Sequence, residues 1–148
     1  MTDGTLAGSG TGTDAEGREE GRERNSILIF DRAANGEVKP LRVISGPRTG
    51  LKAIRQMQIY PKGGWIVVAH IASGVVPEPQ GAFVGVWSIN DNGDVPPRWK
   101  IDAKTSNALK KPRGVALNPK NKELIVSDMR QNAVLTYSLP EMFDQSAK

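Results

Sequence analysis

Residues 30–44, FDRAANGEVKPLRVI, and residues 87–101, WSINDNGDVPPRWKI, are two versions of one segment. At an offset of 57 they pair Phe30 with Trp87, Asn35 and Gly36 with Asn92 and Gly93, Pro40 with Pro97, and Ile44 with Ile101. A second match follows after one inserted residue. Residues 55–70, RQMQIYPKGGWIVVAH, lie over residues 113–128, RGVALNPKNKELIVSD, at an offset of 58. There Pro61 and Lys62 meet Pro119 and Lys120, and the apolar run 66–68 meets 124–126. Self-similarity at a fixed period marks an array of supersecondary units. The chain therefore reads as one unit used about twice.

Within the unit the apolar runs are short, rich in Val, Ile and aromatics, and bounded by Gly, Pro, Asn and Asp. That pattern reads as strands. They are expected at 26–31, 41–44, 56–60, 65–70, 83–89, 98–101, 114–117, 123–128 and 133–138, with no amphipathic helix. Asn35 with Gly36, and Asn92 with Gly93, supply residues that tolerate positive φ in a tight connection. Pro40 and Pro97 follow where a new strand starts, because proline cannot donate to an interior ladder. The repeated order is strand, Pro-Lys turn, strand, long loop, strand, Asn-Gly turn, strand. Four antiparallel strands in that order make a propeller blade, so the expected fold is all-β.

The stretch KPRGVALNPKNKELIVSDMRQNAVLTYSL, residues 111–139, resembles a blade of the NHL-type or lactonase-type β-propellers of bacterial kind. The resemblance spans 26–140. It implies that Pro112 to Leu117 form an inner strand and Leu124 to Asp128 the second. The earlier copy departs from it, with Ile54, Arg55, Gln56 and Met57 where Pro112, Arg113, Gly114 and Val115 stand.

Residues 1–25 hold six acids, three bases and few apolar side chains, so the ordering entropy of about 1–2 kcal/mol per residue finds little compensation. They are expected to be a disordered leader, with 26–140 the partial propeller and 141–148 a tail. The remainder supplies about two and a quarter blades. Closed propellers use roughly four to eight, so the ring is expected to be incomplete. Residues 26–31 should lack an inner neighbour and 133–138 an outer one. A truncated product is the first explanation, and self-association through the unpaired strands the second.

The chain has no cysteine, which excludes disulfides, thiolate zinc sites and cysteine nucleophiles. No apolar run reaches the roughly 18 residues of a spanning helix and no signal peptide is seen, so no membrane partner is expected and the default compartment is cytoplasmic. Beyond the leader, ten acids face seventeen bases. Such a surplus suits solubility first and attraction of acidic partners second.

The alignment brings Arg55 over Arg113 and His70 over Asp128. Under the blade reading all four ring the hub on the face that carries the long loops, and they are the candidate ligand-binding residues. The arginines would grip an anion, with His70 as a base and Asp128 as its orienter or a metal ligand. The plainer reading makes His70 a strand-end cap, Asp128 the holder of the 129–132 turn, and the arginines partners of acids across blades, and it is preferred. No catalytic set, metal site or cofactor is assigned. The function expected is a non-catalytic binding or interaction scaffold, contacting an unknown small molecule or protein on the loop face. Two alternatives remain. One is a lactonase-like metal-dependent hydrolase, the activity implied by the resemblance, whose oxygen ligands would be incomplete here. The other is nucleic-acid binding by Lys52, Arg55, Lys104, Lys110, Lys111 and Arg113. The second is weaker because no aromatic side chain for base stacking lies in those loops.

Overall fold

The structure is a computed structural model and describes residues 5–9, 25–71 and 79–148. It is all-β. Among the described residues ten strands form three antiparallel sheets, and a short α-helix follows the last strand. Sheet 1 has the order β1 (Thr5–Ser9), β2 (Asn25–Ile29), β3 (Arg42–Ile44). Sheet 2 is a four-stranded meander of β4 (Ile54–Tyr60), β5 (Trp65–His70), β6 (Phe83–Ser88) and β7 (Trp99–Asp102). Sheet 3 holds β8 (Pro112–Asn118), β9 (Glu123–Asp128) and β10 (Ala133–Ser138), with β9 central. Helix α1 (Pro140–Asp144) starts on a proline, whose missing N–H costs nothing in a first turn.

The sheets are layered, and sheet 2 lies between the other two. Both β5 and β6 are buried along their whole length, so both of their faces must be apolar. Alternation divides the residues. Val67, Ala69, Val84 and Val86 pack with Val115, Leu124 and Val126 of sheet 3. Ile66, Val68, Phe83 and Trp87 pack with Ile27, Ile29 and Ile44 of sheet 1. Removing each such side chain from water contributes about 1.5–3 kcal/mol, which explains why the run 65–70 is continuous rather than alternating.

The repeat in the sequence is a repeat in space. Both Asn-Gly turns place their glycine at positive φ, 74° at Gly36 and 83° at Gly93. The turn at Asn92 and Gly93 also docks on sheet 1. Gly93 N–H donates to the Val43 carbonyl at 2.6 Å, Ser45 N–H to the Gly93 carbonyl at 3.1 Å, and Val43 N–H to the Asn92 side chain at 2.9 Å. At this same end of the strands, Ile89 N–H donates to the Gly64 carbonyl and Leu139 N–H to the Lys122 carbonyl, both at 2.9 Å, so the two bonds occupy equivalent positions in sheets 2 and 3.

One expectation needs correction. Residues 1–25 are not all outside the fold. Thr5–Ser9 pairs along β2, and Asn25 opens that strand. The physical reason is β2 itself: its inner edge is a row of backbone donors and acceptors, which a segment of almost any composition can satisfy. The inner neighbour that 26–31 was expected to lack comes from there. Residues 1–4 and 10–24 of the expected leader lie outside the described residues. At the other end, the tail 141–148 packs on the sheets. Met142 is fully buried, Phe143 meets Tyr60 edge-on at 5.2 Å between centroids, and the Trp65 indole N–H donates to the Gln145 carbonyl at 3.0 Å. Thus the chain after β10 crosses onto sheet 2, and β10 stays an edge strand without an outer neighbour. No helix among the described residues is long and apolar enough to cross a membrane.

Candidate functional site

Strands β5 and β9 end at the same side of the layered sheets as β4 and β8 begin, and the four candidate residues sit there. The loop between β5 and β6 rises on this side too, although residues 72–78 lie outside those described.

His70 ends β5 and is 2% exposed. Its Nε2 accepts the backbone N–H groups of Lys52 and Ala53, each at 2.8 Å. Two donors on Nε2 leave the proton on Nδ1, which donates to the Gly81 carbonyl at 2.8 Å. The ring stacks on Phe83 with centroids 4.4 Å apart. Burial pushes its pKa down to about 4; the bond to Gly81 opposes this, and the charges of Lys100 and Lys52 assist. The imidazole is therefore neutral at pH 7 and has both nitrogens in use.

Asp128 ends β9 and is likewise 2% exposed. Oδ2 accepts the N–H groups of Lys110 at 2.7 Å and Lys111 at 2.9 Å. Those donors are the repeat equivalents of Lys52 and Ala53. Oδ1 accepts Arg130 and Gln131 N–H, each at 3.0 Å, and so holds the turn into β10. The backbone bond from Ile71 N–H to Ala53 at 3.1 Å also has its counterpart, from Met129 N–H to Lys111 at 3.0 Å. An imidazole and a carboxylate thus do one job. Each ties the end of a second strand to the loop that enters the first strand.

Arg55 and Arg113 differ from these two in every respect. The register of β4 against β5 jumps between Ile54 and Gln56, and that of β8 against β9 between Pro112 and Gly114. Each arginine is the extra residue of a β-bulge, which re-aims a side chain out of the ladder. Both are exposed, and neither guanidinium has a hydrogen-bond or ion-pair partner among the described residues. The two bulges are neighbours, because Gln56 Oε1 accepts the Val115 N–H at 2.6 Å and so links β4 to β8. The structure therefore leaves the arginines exposed on two neighbouring bulges, whereas His70 and Asp128 are buried. Backbone donors without another acceptor take up the imidazole and the carboxylate.

Two open grooves of about 390 Å³ flank the β9–β10 turn. One lies among Pro79, Lys110, Arg130 and Gln131. The other runs along Arg113, Met129, Asn132 and Val134. Sequence reasoning placed 129–132 in a turn on the loop side without giving Met129, Arg130 or Gln131 a role, and marked Gln56 only as a departure of the first copy from the second. The aromatic residues lie between the sheets: Trp87 is fully buried, and Trp65 meets Trp99 edge-on at 4.8 Å. Among the described residues no three His, Asp or Glu side chains gather as metal ligands do.

No family model, curated protein or solved structure matches this chain.

Proposed function

We propose that the chain is a non-catalytic binding scaffold, built from β-propeller-type blades, which engages anionic groups on its loop side. One observation supports this reading: in both repeats an exposed arginine occupies a bulge at the same place, and the two bulged strands are linked through Gln56 and Val115. A guanidinium forks to carboxylate or phosphate oxygens through two parallel hydrogen bonds. The grooves beside Arg113 and Lys110 extend that basic surface around the β9–β10 turn. The propeller element rests on the meander of sheet 2, the shared positions in sheet 3 and the layering of successive sheets.

The hydrolase reading has less support. It needs Asp128 as an oxygen ligand or His70 as a base. Asp128 already accepts four N–H donors, and His70 has both nitrogens committed.

The test is calorimetric titration with inorganic tripolyphosphate and with a polyglutamate peptide, at low and at physiological salt. The expected result is binding that falls with salt and weakens at least about tenfold in the R55E/R113E double variant, since one tenfold step is only about 1.4 kcal/mol. Absence of heat with both probes, or equal binding by the double variant, would contradict the proposal. A thermal shift with calcium alone would favour the hydrolase instead.

A further inference from the structure

Each sheet has one face that the next sheet covers. In sheet 1 that face carries Ile27 and Ile29, and sheet 2 packs on it. In sheet 2 the equivalent residues are Val84 and Val86, with Val67 and Ala69 of the neighbouring strand, and sheet 3 packs on them. Sheet 3 has the same face. The register opposes Phe83 to His70 and Ala133 to Asp128, so Val134 and Thr136 stand where Val84 and Val86 do, while Ile125 and Ser127 stand where Val67 and Ala69 do. Nothing among the described residues lies on it: Val134 is 69% exposed, and Ala116, Ser127 and Thr136 are exposed beside it. Small and β-branched side chains on an uncharged patch suit packing against a second sheet.

The chain presents the complementary surface at its other end. The residues of sheet 2 that face sheet 1 include Phe83 and Trp87. Their equivalents in sheet 1 are Ser26 and Phe30, at an offset of 57 and on the side away from sheet 2. A second observation points the same way. The turn at Asn92 and Gly93 makes three hydrogen bonds to the preceding sheet, whereas the equivalent turn at Asn35 and Gly36 is exposed. Among the described residues the Asn35 amide donates only to the nearby Ala33 carbonyl at 3.5 Å, and the turn has no counterpart of the three bonds made by Asn92 and Gly93.

We propose that sheet 3 of one chain receives sheet 1 of a second copy, which extends the sheet-to-sheet stacking of the single chain. Such a contact is heterologous, and it closes when the rotation between sheets completes a turn. In that assembly each copy uses both surfaces.

The test combines solution mass with disulfide trapping in the full chain. Light scattering on the eluting protein is expected to give a multiple of the chain's 16.0 kDa. V134E places a charge on an exposed residue, so the fold is kept, judged by an unchanged circular dichroism spectrum. Association should weaken at least about tenfold, because the charge has no partner across the contact. The chain lacks cysteine, so single S26C and V134C variants can be mixed under mild oxidation. The heterologous contact predicts a disulfide-linked S26C–V134C species. A monomeric wild-type protein would overturn the proposal and leave the face to solvent or to a different partner. An assembly insensitive to V134E, or one trapped only as V134C with itself, would overturn it as well.

Discussion

Replacing His70 by glutamine tests the loop-side staple, because His70 is the only histidine in the chain and its titration is unambiguous. In the folded protein its pKa is lowered from 6.5 to about 4, chiefly by burial. A base whose folded pKa lies below its unfolded value stabilises the fold fully above the unfolded pKa and loses that contribution as pH falls. Between about pH 6.5 and 4 the unfolded chain binds a proton that the folded chain refuses. At 1.36 kcal/mol per unit of difference, the loss approaches roughly 3 kcal/mol by pH 4. H70Q keeps an acceptor for the Lys52 and Ala53 N–H groups but takes up no proton. It should cost about 1–2 kcal/mol near neutral pH, for an imperfectly replaced buried hydrogen bond and the lost stack on Phe83. Urea unfolding of both proteins, followed by tryptophan fluorescence from about pH 7.5 down to 4.5, should show the gap between them shrinking as the wild type loses its excess stability. NMR titration of the one imidazole gives the folded pKa directly. A value near 6.5, or a gap that stays constant with pH, would refute the reasoning.

Further outcomes follow from the same contacts. D128A removes the acceptor of four backbone N–H groups and should cost at least about 3 kcal/mol, more than any single-bond loss, as read by urea midpoint. N92A and N35A form a matched pair: the first loses the bond to Val43 N–H and should cost about 1 kcal/mol, the second should lie within about 0.5 kcal/mol of wild type. M142A should cost about 2–4 kcal/mol by opening a cavity where α1 meets sheet 2, and a thermal melt will show it. R55E/R113E should leave stability within about 0.5 kcal/mol, since both guanidinia are exposed.

The parts of this fold that the sequence discloses are those with a strong local or repeated signal. The run WIVVAH marks β5 to the residue because both of its faces are buried. Asn35 with Gly36 and Asn92 with Gly93 announce positive φ because few other pairs tolerate it. Two other segments leave no such mark. Thr5–Ser9 joins β2 without an apolar pattern of its own, and Pro140–Asp144 is too short for a helical period to emerge. At the candidate site, alignment located Arg55, Arg113, His70 and Asp128, and chemistry alone suggested a cap at His70 and a turn holder at Asp128 but not the donors each accepts. A one-residue bulge changes no composition, and imidazole and carboxylate look chemically different until both are seen accepting the same pair of N–H groups. Gln56, which joins β4 to β8, aligns with Gly114, so the repeat itself concealed it.

The central claim is that His70 and Asp128 hold the loops while the bulge arginines meet a partner. Amide hydrogen exchange at Lys52, Ala53, Lys110 and Lys111 tests it most directly, because these four N–H groups lie in loops yet are bonded to the two side chains. The account predicts protection at all four comparable to that of the adjoining strands, lost at Lys52 and Ala53 in H70A and at Lys110 and Lys111 in D128A. Exchange at the rate of free loops in the wild-type protein would contradict it, and would return both side chains to the list of groups available for chemistry.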